Sequence, residues 1–284
     1  MEEKKIDKST LEANKYVHSF LVNKGEYQKS PHFKYENKLK VRSIIERVTK
    51  PIITRSDRKV IDFGCGTGFI IDLVKDLFDE VHGVDITPDM MKHVDTLSGN
   101  ITLHESIAEK TSFNSNSFDF ATAYSFMDHL KDYKIFLKEV FRVLNDGGIF
   151  YTDLNPNRSF IKVMGLLENY NSSEDFSLIV KKEIFGSLHN GRYYEDIFGM
   201  NAEMLEKAEP IKSIDKGFDA RETLDVAKKI GFKKCFVEYE WFLDQSNVMH
   251  NQSLADSRKI ENYLISVLPV SDVLFKYLRF IFVK

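Results

Sequence analysis

Apolar and polar positions follow two spacings along this chain, and the switch between them marks its elements. Leu39, Val41, Ile44, Ile45 and Val48 recur at helical intervals, predicting a helix over Tyr35–Val48 with one apolar face that ends before Pro51. The short apolar run Val60–Phe63 reads as a buried strand, followed by a glycine turn and a helix starting near Phe69. His82–Ile86 is a second short strand, after which Thr87 as cap and Pro88 in the first turn open another helix. Tyr133–Leu144 reads as a helix that stops at Asn145-Asp146-Gly147-Gly148. Such alternation predicts a parallel sheet covered by helices on both faces. Right-handed crossovers then bring the turns after successive strands to one edge, where a site is expected.

The flanking regions are patterned differently. Residues 1–33 are polar and aromatic and predict a helix followed by a mobile segment, within an N-terminal unit spanning 1–50. Asp219-Ala220-Arg221-Glu222 resembles a capping box that opens a helix ending near Ile230, with Gly231 as its stop. Lys234–Phe242 and Tyr277–Val283 read as strands within a C-terminal part spanning 218–284. A nucleotide-binding core is expected over 51–154, and a largely helical cap over 155–217 that binds an acceptor, because long connections in compact domains are seldom structureless. A second helical insertion, including Ile260–Leu268, separates the last two strands.

The chemistry concentrates in Val60-Ile61-Asp62-Phe63-Gly64-Cys65-Gly66-Thr67-Gly68. Glycines at 64, 66 and 68 remove side chains that would block a ligand from the backbone, and the following helix start presents free N–H groups. A dinucleotide turn requires Gly-x-Gly-x-x-Gly, but its third glycine position here holds Phe69. Asp85 closes the second strand about 20 residues beyond the turn, where an acid can accept hydrogen bonds from both hydroxyls of an unphosphorylated ribose.

Asp62, Gly64, Gly66, Gly68 and Asp85 resemble the signature of the class I S-adenosylmethionine-dependent methyltransferases. The likeness continues through Ala108-Glu109 with Phe113, Ser117–Ala121, and Phe141–Phe150, so that it covers residues 59–154. It implies a Rossmann-like sheet of seven mostly parallel strands whose last strand is antiparallel, S-adenosyl-L-methionine as cofactor, and methyl transfer as the activity. Further cofactor contacts implied are Cys65, Ile86, Ile107, Ala108, Tyr124 and a lid residue, Tyr27, in Gly25-Glu26-Tyr27-Gln28. Many relatives carry an aspartate for the adenine amine where this chain has Ile107, which leaves that contact to backbone groups or to Ser106.

His129, in Tyr124–Leu130 after the fourth strand, is the candidate catalytic residue, with a packed loop histidine as the alternative. Asp128 reads as solvated or as a helix cap, Trp241 as core, and Tyr193 and Tyr194 as cap packing or acceptor lining. Asp62 has a second reading, as an anchor of the turn through backbone amides. The histidines show no close ligand spacing, and no metal is expected.

Composition narrows the partner. A net charge of −3 gives no overall attraction to nucleic acid. Ser125-Phe126-Met127-Asp128 lacks the Asn/Asp-Pro-Pro-aromatic sequence that enzymes methylating base amino groups carry after the fourth strand. Only two cysteines occur, no apolar run is long enough to span a bilayer, and no signal-peptide pattern opens the chain, so a cytoplasmic location is expected. The expected acceptor is a small molecule with an oxygen, nitrogen or carbon nucleophile. A non-catalytic cofactor-binding protein and a protein or RNA methyltransferase are the alternatives, and oligomeric state is not legible.

Overall fold

Parallel pairing of β1 (Lys59–Phe63) with β2 (Glu80–Asp85) and β4 (Phe118–Tyr124) forms the centre of the computed structural model, which describes residues 8–26, 29–170 and 176–284. Val60, Ile61 and Phe63 are fully buried, as a strand covered on both faces requires. With β3 (Ile101–Glu105), β5 (Leu144–Pro156), β6 (Lys234–Phe242) and β7 (Phe275–Val283), the seven strands order as β3-β2-β1-β4-β5-β7-β6. β7 runs antiparallel between β5 and β6.

Helices α2 (Tyr35–Thr49) and α3 (Phe69–Val74) pack on one face through Val41, Ile45, Ile70 and Val74. On the other face lie α5 (Tyr133–Val143) and α11 (Ala220–Ile230), with Phe136, Val140 and Ala227 against the strands. Asp219 caps α11 by accepting from the Glu222 N–H at 2.9 Å. Thr87 precedes α4 (Pro88–Met91) at the cap position, but its side chain makes no capping bond. The expected stop at Asn145–Gly148 is instead the start of β5, with Gly147 at φ 71° beside a register shift against β4. The register with β4 passes from Leu144 directly to Ile149, so this Asn-Asp-Gly-Gly stretch is an irregular strand start, tied to Lys284 by bonds with Gly147 and Gly148 at 3.0 Å.

The antiparallel strand carries a buried charge network. Arg279 Nε donates to Asp153 on β5 at 2.8 Å and its guanidinium also pairs with Glu240 on β6, while Lys40 of α2 pairs with Glu240 at 2.6 Å and Glu261 at 2.8 Å. Breaking one member would strand a desolvated charge, so the network ties strand order to α2. Glu261 belongs to α13 (Leu254–Ser266), preceded by α12 (Gln245–Asn251); α13 ends before the expected Leu268.

Two groups of helices lie beyond the sheet's carboxyl edge. α1 (Lys8–Asn23) buries Ala13, Val17 and Leu21 against Met200, Leu205 and Ala208. These partners come from the segment holding α6 (Arg158–Glu168), α7 (Leu178–Leu188), α8 (Asn190–Phe198), α9 (Ala202–Ala208) and α10 (Pro210–Ser213). Among the described residues, no helix is long and apolar enough to cross a membrane.

Candidate functional site

The turn after β1 is organised by the end of β2. The Val84 carbonyl accepts from the N–H groups of Gly64 at 2.8 Å and Cys65 at 3.0 Å. Asp85 Oδ2 accepts from Gly66 N–H at 2.9 Å, and Oδ1 from Thr87 N–H at 2.7 Å. Asp85 therefore stands beside the turn with both oxygens fixed, each retaining capacity for a further donor. Burial raises its pKa, against the opposing effect of these amide bonds. Gly64, at φ 68°, has the ring of Phe126 where a Cβ would be, so no larger residue fits without displacing that ring.

Phe126 is placed there by Ser125, a non-glycine residue in the left-handed region at φ 51°, whose N–H bonds the Asp153 carbonyl at 3.0 Å. A conformation of that kind costs on the order of 1–3 kcal/mol and persists where surrounding contacts enforce it. Beneath α1, the turn, Asp85 and Phe126 wall a cavity of about 60 Å³ that Leu11, Asn14 and His18 roof and Glu109 and His129 also line. A second cavity of about 310 Å³ shares Leu11, Ile86 and Ser106 with the first and extends along Glu105 and Ile107.

The predicted residues divide between these spaces and the core. Gly64, Gly66, Asp85, Ile86, Ala108 and His129 line the first cavity, and Ile107 the second. Asp62 does not anchor the turn's amides. It is buried on β1 and accepts from the Thr122 hydroxyl at 2.7 Å, with a pKa pushed up to about 7, mainly by burial. Cys65 is a buried side chain behind the turn, and Gly68 holds the left-handed residue at φ 89° that starts α3. Tyr124 is not among the cavity-lining residues; its ring packs at a tilt on Phe69 and its hydroxyl accepts from Asn37 Nδ2 at 2.9 Å. Tyr27 lies outside the described residues. The described roof is α1, whose contacts with the cavity are all long-range.

His129 Nδ1 lies 2.9 Å from the Ala208 carbonyl, which can only accept, so this nitrogen carries the proton and Nε2 is left with its lone pair when the ring is neutral. Asp128 is neither solvated nor a cap. It is buried at 6% exposure, burial raises its pKa, and its Oδ1 has no hydrogen-bond partner among the described residues. Glu209, between α9 and α10, joins them: one donor atom from each of Asp128, His129 and Glu209 lies within 4.8 Å of the others. Sequence spacing predicted no ligand set because Glu209 reaches this position only through the packing of the 155–217 segment. Trp241 is core, and Tyr193 and Tyr194 contact each other edge-on within the helical segment.

A mostly parallel sheet of this strand order, with a Gly-x-Gly-x-Gly turn held against an acid at the end of β2, defines a Rossmann-like fold. Residues 61–152 match the family model described as a methyltransferase domain. A probable S-adenosylmethionine-dependent methyltransferase of Mycolicibacterium smegmatis is 31% identical over 101 residues, covering 36% of this chain and 39% of that protein. Demethylmenaquinone methyltransferase of Staphylococcus aureus is 34% identical over 110 residues, covering 37% of this chain and 46% of that protein. The chain thus spans less than half the length of these curated relatives. The same fold occurs in a SAM-dependent methyltransferase from Archaeoglobus fulgidus, at 17% identity and a TM-score of 0.50 over 87% of this chain and 94% of that one. It occurs again in Haemonchus contortus phosphoethanolamine N-methyltransferase 2 in complex with S-adenosyl-L-methionine, at 16% identity and a TM-score of 0.53 over 96% of this chain and 56% of that one. The segment 61–152 is thus similar to the methyltransferase domain of S-adenosylmethionine-dependent methyltransferases.

Proposed function

We propose that this protein transfers the methyl group of S-adenosylmethionine to a small molecule. The observation that carries this reading is the roofed cavity in which the bare Gly64–Gly66 turn and the Asp85 carboxylate face α1. Asp85 would receive the ribose hydroxyls, Ile86 and Ile107 would sandwich the adenine beside Ser106, and Gly64 and Gly66 would admit the amino-acid end. The residues fit the cofactor on two counts: both Asp85 oxygens keep accepting capacity, and the larger cavity continues from the ribose position toward Ile107. Phe126 must swing from Gly64 to complete the space.

S-adenosylmethionine supplies a methyl group on a sulfonium, open to in-line attack from the side opposite sulfur. The protein's task is then to position the partners and exclude water, and positioning does much of the work. A roof formed by α1 and braced by α9 favours an acceptor small enough to be enclosed, and argues against a macromolecular one. The Staphylococcus relative, named for demethylmenaquinone, supports the same class of acceptor. Segment 155–217 is the proposed acceptor-binding cap. The free thiols of Cys65 and Cys235 accord with a reducing compartment, and the cytoplasm is the proposed location.

Incubation with a metabolite extract and cofactor labelled in its methyl group, followed by mass spectrometry, tests the reading. A labelled small product is expected. Label confined to protein or RNA would replace the acceptor class, and failure of the chain to retain either the cofactor or S-adenosylhomocysteine in equilibrium dialysis would remove the reading altogether.

A further inference from the structure

We infer that Asp128, His129 and Glu209 form a binding site for one divalent transition-metal ion, which fastens the helical segment 155–217 to the strand edge beside the cofactor cavity. The inference does not depend on methyl transfer.

Three independent observations converge. Two carboxylates and an imidazole offer donor atoms within 4.8 Å of one another. Ligands on a tetrahedral ion stand about 3.4 Å apart, given metal–ligand bonds of about 2.1 Å, so the side chains would draw in by up to about 1.4 Å. Next, the Asp128 Oδ1 atom is buried without a hydrogen bond, in a residue only 6% exposed. A buried carboxylate oxygen with no donor is costly, and a cation is the partner that removes the cost. Finally, His129 donates Nδ1–H to the Ala208 carbonyl at 2.9 Å, which fixes the tautomer with Nε2 as the lone-pair nitrogen. A backbone carbonyl on the far nitrogen is the usual arrangement behind a metal-bound histidine.

The surrounding charges are consistent with a cation. Lys212 Nζ holds Glu209 Oε2 at 2.9 Å, which leaves the other carboxylate oxygen for the ion. The His18 ring meets that of His129 edge-on at 4.9 Å. One imidazole with two carboxylates suits zinc, manganese or cobalt(II) and gives no preference for copper(I), which favours sulfur. Under this assignment His129 is a ligand, in place of the proton acceptor to which its sequence position alone points.

The full chain, stripped with a chelator, is titrated with Co²⁺ while its d–d absorption is followed, in parallel with ¹H–¹⁵N spectra of histidine-labelled protein. One equivalent of low-coordinate Co²⁺ and selective broadening of the His129 ring resonances are expected. Asp128→Asn and Glu209→Gln should each weaken Co²⁺ binding at least tenfold, and the exposed control Glu203→Gln should leave it unchanged. Circular dichroism and S-adenosylhomocysteine affinity report whether each variant is folded. A spectrum that remains that of hydrated Co²⁺, broadening at other histidines, or binding that survives both substitutions overturns the inference. Should either variant fail to fold, the wild-type stoichiometry and the His129 resonances decide the question.

Discussion

Asn14 and His129, 115 positions apart, are joined by a hydrogen bond from the Asn14 side-chain amide to the His129 carbonyl at 3.1 Å. The same amide donates to Thr10 within α1 at 3.0 Å, so one buried side chain orients the roof helix and pins it to the loop after β4. Removing it in Asn14→Ala should lower stability by about 1 kcal/mol. Hydrogen exchange should accelerate in residues 8–23 while the strands stay protected. Uniform acceleration across the sheet would show that α1 is not a separately opening roof.

Phe126 and Gly64 occupy one another's space, and this makes a double-mutant cycle informative. Gly64→Ala should destabilise the fold by at least about 1 kcal/mol, since a Cβ would meet the Phe126 ring and alanine is strained at φ 68°. Phe126→Ala should relieve the steric part of that loss and leave the backbone part. In the proposed site, Phe126→Ala alone should strengthen S-adenosylhomocysteine binding, because the ring no longer has to be displaced. Calorimetry showing weaker binding for Phe126→Ala would mean that the ring contacts the ligand instead of yielding to it.

Asp85→Ala should weaken binding of S-adenosylmethionine by about 1–3 kcal/mol through the loss of charged hydrogen bonds. It also releases the Gly66 and Thr87 amides, so part of the loss would come from a looser turn. Asp85→Asn separates the two effects, since its one carbonyl oxygen can still hold an amide but the anionic acceptor is gone. Equal affinity for both variants and the wild type would exclude a ribose role.

Asp62 and His32 titrate over overlapping pH intervals with opposite signs, so their contributions to stability oppose each other between about pH 4 and 6.5. The pKa of Asp62 rises from 3.8 to about 7, mainly through burial, so the folded state binds its proton more tightly than the unfolded state does. Stability is therefore lost as pH climbs from near 4 to 7, at up to about 1.4 kcal/mol for each pH unit. His32 shows the opposite sign: burial, then Lys276, lowers its pKa from 6.5 to about 3, and stability is lost as pH falls through that interval. In melting curves taken from pH 4 to 8, Asp62→Asn should therefore make stability rise more steeply with pH, and His32→Phe should make it fall more steeply. A pH dependence unchanged in Asp62→Asn would show that the carboxyl group titrates alike in the folded and unfolded chain.

The succession of strands and helices, the bare turn and the acid at the end of β2 were legible because each rests on short-range physics. Helical and strand spacings declare which face is apolar, glycine admits a backbone conformation that other residues resist, and a strand end lies a fixed distance from the turn it follows. From these features came the core, Gly64 and Asp85, while the cofactor and Ile86 came from the family resemblance that they carry. Other features were settled only by packing in three dimensions. Asn145–Gly148 has the composition of a turn, yet it forms the irregular start of a strand, tied to Lys284. Tyr124 follows the motif, yet it packs on Phe69 and is not among the cavity-lining residues. The roof by α1 and the meeting of Glu209 with Asp128 and His129 join residues some 80 or more positions apart, as in the His129–Ala208 bond spanning 79. No local period encodes such a meeting, because it results from burying the apolar faces of α1 and α9 against each other, and the polar groups beside those faces are brought together as a consequence.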